Sequence, residues 1–223
     1  MAGSSMLTEL PSDAAAAHSR VLNVDGPMRA WKVESGSVDV FLIATSSACS
    51  GIRRHVLRVE AGELFTTVVG SEIEWLAVPT SDTIVVEIEH AESTAQQDSE
   101  AWSTWIRHLV GLICTTPRPS RVVQLDYAGP VVLDDKDSFC GGEPLRWLSV
   151  VEGEVRVGAE EVTALLPHMM PFPFSQDAWF SCSKRVTIQI YEANHNLIVG
   201  SLTAVARLVS IAHLIRDRLE LEY

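Results

Sequence analysis

The sequence lacks the motifs by which common enzymes and metal proteins are recognised. It has no nucleophile elbow, no phosphate loop, no Gly-x-Gly-x-x-Gly and no Cys-x-x-Cys. A metal-binding cupin needs two histidines two residues apart, with a carboxylate and a further histidine, so that these groups converge on one cation. No His-x-His occurs among the histidines, which are His18, His55, His90, His108, His168, His195 and His213. We therefore expect no metal and no cofactor.

Positive charge is scarce and long apolar runs are missing. Lysine and arginine number 17 against 29 aspartates and glutamates, which gives a formal net charge of -12. Because nucleic-acid binding needs clustered cationic side chains, we expect no nucleic-acid partner. The sequence has no apolar run of the roughly 18 residues that cross a bilayer and no secretory signal. We expect a cytoplasmic protein without membrane insertion.

The four cysteines form no metal-binding or disulfide pattern. Cys49, Cys114, Cys140 and Cys182 are widely spaced along the chain. Reduced, buried thiols are the expected state. Cys140 is the exception, because Cys140-Gly-Gly predicts a mobile turn in which the thiol is exposed and reactive.

Short alternating runs divided by Gly, Pro, Asp and Ser predict two β-rich halves. The predicted fold class is mainly β, with two tandem small antiparallel β-barrels or jelly rolls, cupin-like or cyclic-nucleotide-binding-like, a linking helix and a long C-terminal helix. The predicted divisions are a flexible N-terminus at 1–20, a first barrel at 21–92, a linking helix at 98–116, a second barrel at 121–195 and the C-terminal helix at 197–223.

The halves share a motif that indicates an internal duplication. Trp31 followed by Gly36-Ser-Val-Asp-Val returns as Trp147 followed by Gly153-Glu-Val-Arg-Val, with the glycines 117 positions apart. Each copy predicts a β-hairpin with a tight turn. Later in each half a tryptophan, Trp75 or Trp179, precedes a closing apolar strand. Chance agreement between short β patterns is the alternative.

Two segments have helical periodicity. Ser99 to Ile113 carries one apolar stripe, which predicts an amphipathic linking helix. The C-terminal segment carries two rows, Leu202, Val205 and Val209 in one and Leu208, Ile211, Ile215 and Leu219 in the other. Because one barrel pair should cover a single row, we expect a homodimer, or a stable complex with another protein, through this helix. A helix clamped between the two barrels of one chain is the alternative.

A cyclic-nucleotide site needs a Gly-Glu turn for the ribose and, within about ten residues, an arginine for the phosphate. Gly62-Glu63 supplies the first part, but the next arginine is Arg107, inside the linking helix. The pair is therefore interpreted as a plain turn, and we expect no cyclic nucleotide to bind.

The one concentration of positive charge lies in Gly51 to Val59, at a predicted strand. Its candidate binding residues are Arg53, Arg54, His55 and Arg58. Strict alternation would put Arg54 and Arg58 on one face and Arg53 and His55 on the other. One interpretation is an exposed edge strand protected by charge, and the other is a dock for an anion or an acidic peptide.

An apolar tract at 166–174 either plugs the second barrel or forms the rim of a pocket. The residues that could line a barrel cavity are Trp31, Trp75, Trp147, His168, Met169, Met170 and Trp179.

Several of these patterns together resemble the N-terminal region of NHLM-type ABC exporters, the transporters associated with nitrile-hydratase-like leader peptides in bacterial peptide natural-product clusters. The resemblance rests on Trp31 to Phe41, Arg53 to Phe65, Arg146-Trp-Leu and Pro171 to Trp179. It implies a tandem cyclic-nucleotide-binding-like or cupin-like module without an established catalytic set. Membrane spans and a Walker motif are missing here, so we expect a free-standing relative or an isolated piece of that module.

Two functions remain open from the sequence. The first is a noncatalytic recognition or accessory module of a bacterial peptide natural-product pathway, binding a peptide or protein partner through the basic strand. The second is a metal-independent enzyme of cupin-like fold that cyclises or isomerises an apolar natural-product intermediate in a barrel cavity. Filled barrels would favour the first, and an open apolar cavity the second.

Overall fold

Short strands with alternating burial build both halves of the chain, because successive residues of a strand face opposite sides. The protein is described by a computed structural model over residues 22–23, 29–44, 53–66, 73–88, 99–114, 116–158, 164–194, 196–198, 205 and 208–209. The strands of the first unit are β1 (Leu22–Asn23), β2 (Ala30–Ser35), β3 (Ser37–Ala44), β4 (Arg53–Glu60), β5 (Leu64–Thr66), β6 (Ile73–Pro79) and β7 (Ile84–Ile88).

Helix α1 (Ser99–Ile113) leads into the second unit. The strands of this unit are β8 (Val123–Leu125), β9 (Gly129–Leu133), β10 (Ser138–Gly141), β11 (Arg146–Glu152), β12 (Val155–Val157), β13 (Ala164–Leu165), β14 (Phe172–Phe174), β15 (Trp179–Ser181) and β16 (Val186–Glu192).

Each unit consists of two sheets. The first unit has the strand orders β1-β6-β3-β4 and β5-β2-β7, and the second has β13-β12-β15-β10-β8 and β14-β11-β16-β9. Pairing is antiparallel apart from the parallel pair β8 and β10. In both units most steps along the chain cross from one sheet to the other, which is the topology of a jelly roll. The predicted mainly β class with two tandem units is therefore confirmed.

The strand orders relate the two units one to one, with β1 to β7 corresponding to β10 to β16. The hairpin glycines agree in detail. Gly36 has φ +77° and Gly153 has φ +91°, and each follows a register shift, at Val33/Ser35 and Val150/Glu152 respectively. Agreement in strand order, bulge and turn is the expected mark of a duplication.

The tryptophans do not correspond in the way the sequence motif suggests. With Gly36 aligned to Gly153 and the bulges superposed, Trp31 matches Leu148, and Trp147 matches Ala30. In the same way Trp179 matches Leu76, one position away from Trp75. Because neighbouring residues of a strand face opposite sides, a shift of one position moves an indole from inside a barrel to outside it.

An aromatic cluster defines the interior of the second unit. Phe180 lies 5.3 Å from Phe174 and 6.1 Å from Phe172 between ring centroids, and 5.7 Å from Phe139. These rings come from both sheets and point at one another. Trp147 and Trp179, each next to an inward-facing residue, therefore lie on the outer faces of the sheets.

Helix α1 packs against the edge strands β5 and β14 and so joins the two units. One stripe of the helix is fully buried, as the periodicity predicts, and consists of Trp102, Trp105, Ile106, Leu109, Val110 and Ile113. Trp105 reaches the first unit, where its ring lies 6.5 Å from that of Phe65.

The predicted C-terminal helix lies mostly outside the described residues, and a long helix is not supported. Residues 196–198, 205 and 208–209 are helical. Val205 and Val209 are 0% exposed and belong to the core of their own chain. This burial agrees with the expectation that the barrel pair covers a single row, and Leu208 of the other row is half-buried. Dimerisation through Ile211, Ile215 and Leu219, which lie outside the described residues, stays a prediction, as does the flexible N-terminus at 1–20.

Gly36→Ala tests the hairpin. A Cβ there would lie 2.5 Å from Thr83 Oγ1 at a positive φ, and that hydroxyl donates to Ser37 O at 2.9 Å and accepts from Ser37 N at 3.2 Å. We expect Gly36→Ala to lower the free energy of unfolding by about 2 to 4 kcal/mol, measured by urea denaturation.

The control is Gly62→Ala, at φ +90° but with no atom within 4 Å of the added Cβ. It should cost only the backbone strain, about 1 to 2 kcal/mol. Equal losses in the two variants would contradict the proposed crowding at Thr83.

Candidate recognition surface

The basic strand is β4, an edge of the first unit's four-stranded sheet. It has 8 residues and pairs with β3 on one side; within the described residues no strand pairs with its other side. The corresponding strand of the second unit, β13, has 2 residues. Among the residues that the structure describes, the first unit therefore presents a much longer edge strand than its duplicate.

A β-bulge changes which basic side chains share a face. The register pairs Asp39 with Arg58 and Phe41 with His55, with the shift between Val40 and Phe41. Arg53 lies on the same face, since it pairs with Ile43. Strict alternation along β4 was therefore the wrong expectation, because the extra residue of the bulge brings His55 and Arg58 together.

Arg54 lies on the opposite face. It pairs with Leu42, which is 4% exposed in the core, and its own side chain is half-buried. We define the basic face as Arg53, His55 and Arg58, without Arg54.

Asp39 holds two members of the basic face in place. Arg58 donates from Nε to Asp39 Oδ1 at 2.8 Å and from Nη2 to Oδ2 at 3.0 Å, a bidentate pair. His55 Nε2 lies 3.0 Å from Asp39 Oδ1, and the His55 ring packs edge-on against Phe41 at 5.2 Å. Arg53 is exposed, and no ion pair to it is found in the part of the chain that the structure describes.

This pairing alters the ionisation of Asp39. The hydrogen bond from Arg58, with a smaller contribution from His55, lowers the pKa of the Asp39 carboxyl below its usual value of 3.8, despite some burial. The carboxylate in turn raises the pKa of Arg58. The basic face therefore carries a fixed negative charge at its centre at neutral pH.

The residues predicted to line a barrel cavity do not form one site. Trp31 stacks on Phe65 at 5.3 Å and Trp75 is 1% exposed, so both fill the core of the first unit. Trp147 is 0% exposed on the outer face of its sheet. Trp179 lies outside the second barrel, where Nε1 donates to Thr116 O at 3.2 Å.

The first part of the apolar tract, 166–171, forms a largely exposed turn between β13 and β14. Met169 is 46% and Met170 61% exposed, and His168 is also exposed, with φ +73°. Leu166 N donates to Met169 Sδ at 3.2 Å, which closes the turn. His168, Met169 and Met170 neither plug the second barrel nor line a pocket together with the tryptophans. The last part of the tract is β14, which carries Phe172 and Phe174 into the core.

Sequence reasoning missed a strap over the second unit, formed by Cys114 and Thr116 to Pro119. Arg118 Nη2 donates to Cys140 Sγ at 2.9 Å, and Cys114 Sγ lies 3.9 Å from Trp179 O. Pro117 and Pro119, which stiffen an extended chain, were the available signal.

Cys140 is consequently not exposed in a mobile turn, as its glycines suggested. It lies in β10, is 0% exposed and pairs across the sheet with Trp179. Burial raises the pKa of the thiol, and the nearby Arg118 offsets only part of that effect. Both the low exposure and the raised pKa oppose reaction.

Sequence reasoning also missed a groove with both polar and apolar lining beside the N-terminal half of α1. Its volume is about 570 Å³, and Arg107, Ser103, Thr104 and Asn194 are among its lining. Arg107 is engaged, with Nε 3.3 Å from Asp177 Oδ2. The groove lies outside both barrels.

The Gly62-Glu63 turn uses its carboxylate locally. Glu63 Oε2 accepts from Glu60 N at 2.8 Å, and Gly62 N donates to Val33 O at 2.8 Å. Among the described residues no three His, Cys, Asp or Glu side chains converge in a metal-binding group. No helix of the described part is long and apolar enough to span a membrane.

No protein-family model and no curated protein matches the chain. Among solved structures it is similar to cAMP-bound PfPKA-R, with 9% identity, a TM-score of 0.29 and coverage of 84% of this chain and 72% of that one. The regulatory domain of Toxoplasma gondii PKA with cAMP has 13% identity, a TM-score of 0.27 and coverage of 92% and 84%. A cupin 2 conserved barrel domain protein from Leptotrichia buccalis has 7% identity, a TM-score of 0.21 and coverage of 80% of both chains.

Similarities this weak carry no argument about ligands or activity. The tandem jelly-roll part of the resemblance stated above agrees with the strand order of this chain. Its finer part, the assignment to NHLM-type exporters, finds no support in these comparisons.

Asp39→Asn tests the carboxylate at the centre of the basic face. Because the folded protein lowers the pKa of Asp39, its stabilising contribution is present above about pH 4, the unfolded value, and is lost as pH falls through the folded value. We expect the variant to lose about 0.5 to 1 kcal/mol of unfolding free energy at pH 7 and less at pH about 2, measured in urea.

Asp82→Asn, at an exposed turn position, is the control and should behave alike at both pH values. A loss from Asp39→Asn that persists unchanged in acid would show that the ion pair is not its cause.

Thiol alkylation tests the strap. We expect Cys140 to react with iodoacetamide at least about tenfold more slowly in the folded protein than in urea, because the thiol is covered and its pKa raised. Mass spectrometry of the peptides separates Cys140 from the half-buried Cys114, which is the internal reference. Equal labelling of the two in the folded protein would contradict the described covering.

Proposed function

We propose that this chain is a noncatalytic recognition module, and that its basic face binds an acidic, extended segment of a peptide or protein partner. The observation that carries the proposal is an 8-residue edge strand with Arg53, His55 and Arg58 on one face, in a chain of net charge -12. The partner class implied by the resemblance is a leader peptide of a bacterial natural-product pathway, and this part of the proposal rests on that resemblance alone.

The geometry favours a carboxylate-bearing partner. Asp39 already shows how a carboxylate sits on this face, in bidentate contact with Arg58 and within hydrogen-bond distance of His55. Arg53 adds an exposed cation near the start of the strand. A partner carboxylate placed beside Arg53 meets a cation that Asp39 does not neutralise, and charge complementarity of this kind sets partner choice and association rate.

The exposed edge supplies the second requirement for binding an extended segment. A segment that pairs with an edge strand gains main-chain hydrogen bonds, while its alternate side chains read the neighbouring face. Electrostatic attraction alone would not fix the register of the partner. Main-chain pairing with the edge strand and side-chain contacts with the basic face together can fix that register.

The enzyme alternative has less support. It needs an apolar cavity inside a barrel, whereas Trp31 and Trp75 fill the first unit and the phenylalanine cluster fills the second. The groove beside α1 has a volume suited to a small molecule, but it lies outside both barrels and contains none of the residues predicted to line a cavity.

Titration with fluorescein-labelled hexaglutamate tests the proposal. We expect saturable binding by fluorescence anisotropy that weakens at least about tenfold between roughly 50 and 500 mM salt, because exposed charges are screened. The double variant Arg53→Glu, Arg58→Gln should bind at least about tenfold more weakly, since it removes both arginines of the face.

The matched control is Lys184→Glu, Arg185→Gln, which changes the net charge by the same amount at an exposed turn of the second unit. Wild-type affinity in the control and loss in the test variant would support the basic face as the site. Equal affinities in the two variants would refute it.

A further inference from the structure

Strand β7 is another edge of the first unit, and the strand that corresponds to it in the second unit, β16, has a neighbour on both sides. There, β16 pairs with β11 on one side and with β9 on the other. In the first unit β7 pairs with β2, and no described strand pairs with its other side. The duplication therefore supplies a template for what fits this edge.

The template is specific in register. β9 runs antiparallel to β16, with Val131 opposite Ile188 and Leu133 opposite Val186. Through the shared bulge and hairpin, Ile188 corresponds to Val85 and Val186 to Thr83. The inward side chains of β9, Val131 and Leu133, are 7% and 6% exposed and complete the core of the second unit.

The two most exposed apolar side chains of β7 stand where the corresponding strand β16 has polar residues. Ile84 is 44% and Val86 39% exposed, whereas the paired strand β16 carries the polar Thr187 and Gln189 at the corresponding positions. Val85 is only half-buried, while Ile188 is 0% exposed. Free edges are usually made polar or charged to prevent pairing. The exposed charge of β7 is Glu87, which pairs with Arg29 at 3.5 Å, and the two exposed residues before it are apolar.

At the positions that the duplication offset assigns to β9, the sequence lacks the valine and leucine of that strand. Subtracting the 117-residue offset from Gly129–Leu133 gives positions 12–16, which read Ser-Asp-Ala-Ala-Ala. Alanine stands in place of Val131 and Leu133, and serine, aspartate and alanine are poor strand residues. The apolar atoms that would complete the first core are missing from that sequence.

We propose that the β7 edge binds an extended segment of a partner protein, antiparallel to β7, with aliphatic side chains at the two positions opposite Val85 and Thr83. The partner completes the first unit as β9 completes the second, by main-chain hydrogen bonds and burial of two apolar side chains. This site lies on the other sheet from the basic face and does not depend on the function proposed for it.

The probe is a fluorescein-labelled peptide that copies residues 127–134, added to the full chain. We expect saturable binding by anisotropy, together with slower amide hydrogen exchange in 84–88. A peptide with serine at the positions of Val131 and Leu133 should bind at least about tenfold more weakly, because it keeps the main chain but not the inward aliphatic groups.

Matched variants localise the site. Ile84→Lys with Val86→Lys changes two exposed positions and should weaken binding at least about tenfold, since lysines on an edge oppose pairing. Thr187→Lys with Gln189→Lys makes the same change on β16, whose edge is already covered, and should leave binding within about twofold of the wild type.

Three results would overturn the proposal. One is equal binding by the two double variants. The second is exchange in 84–88 of the free protein that is already as slow as in 186–192, which would mean that this chain covers its own edge. The third is a sedimenting dimer that Ile84→Lys with Val86→Lys dissociates, which would make a second copy the occupant.

Discussion

The burial of one stripe of α1 between β5 and β14 is the interaction on which the rest of the structure depends. The six apolar side chains of that stripe are at most 1% exposed, and each contributes on the order of 1.5 to 3 kcal/mol by leaving water. The stripe fixes where Cys114 emerges, and hence where the strap crosses the second unit. It also places Arg107 at the groove beside Asp177. Loss of this packing would separate the two units and also displace the strap from the surface of the second unit.

The sequence pattern correctly predicted the features that depend only on residues close together in the chain. The helical stripe from Trp102 to Ile113 and the hairpin turns at Gly36 and Gly153 follow from spacing and from the positive φ that glycine tolerates. Register was not predictable in this way. One unpaired residue in β4 moved His55 and Arg58 to a common face, and an aromatic shifted by one position placed Trp147 outside its barrel. Such shifts cost little locally and are decided by packing across sheets.

Burial of single residues outside regular patterns was equally hidden in the sequence. Cys140-Gly-Gly has the composition of a turn, yet Cys140 pairs with Trp179 in a sheet and lies beneath Arg118. Gly141 explains this conflict, because a Cβ there would lie 2.8 Å from the backbone of Ser175. The glycine permits the close approach of two backbone segments of this chain and does not provide mobility. Composition alone does not distinguish these two uses of glycine.

The two units show how a duplicated fold can acquire different surfaces without changing its strand order. In the second unit β9 covers one edge, the strap covers the outer face near Trp179, and the edge strand β13 is reduced to 2 residues. In the first unit the corresponding strand β4 has 8 residues and carries the basic face, and β7 exposes Ile84 and Val86. Among the described residues, the second unit thus covers the edge of β16 with β9, whereas the corresponding edge of β7 in the first unit has no neighbouring strand. Both units share one hydrophobic core through α1, so the packing of the second unit also holds the strands that the first unit presents at its surface.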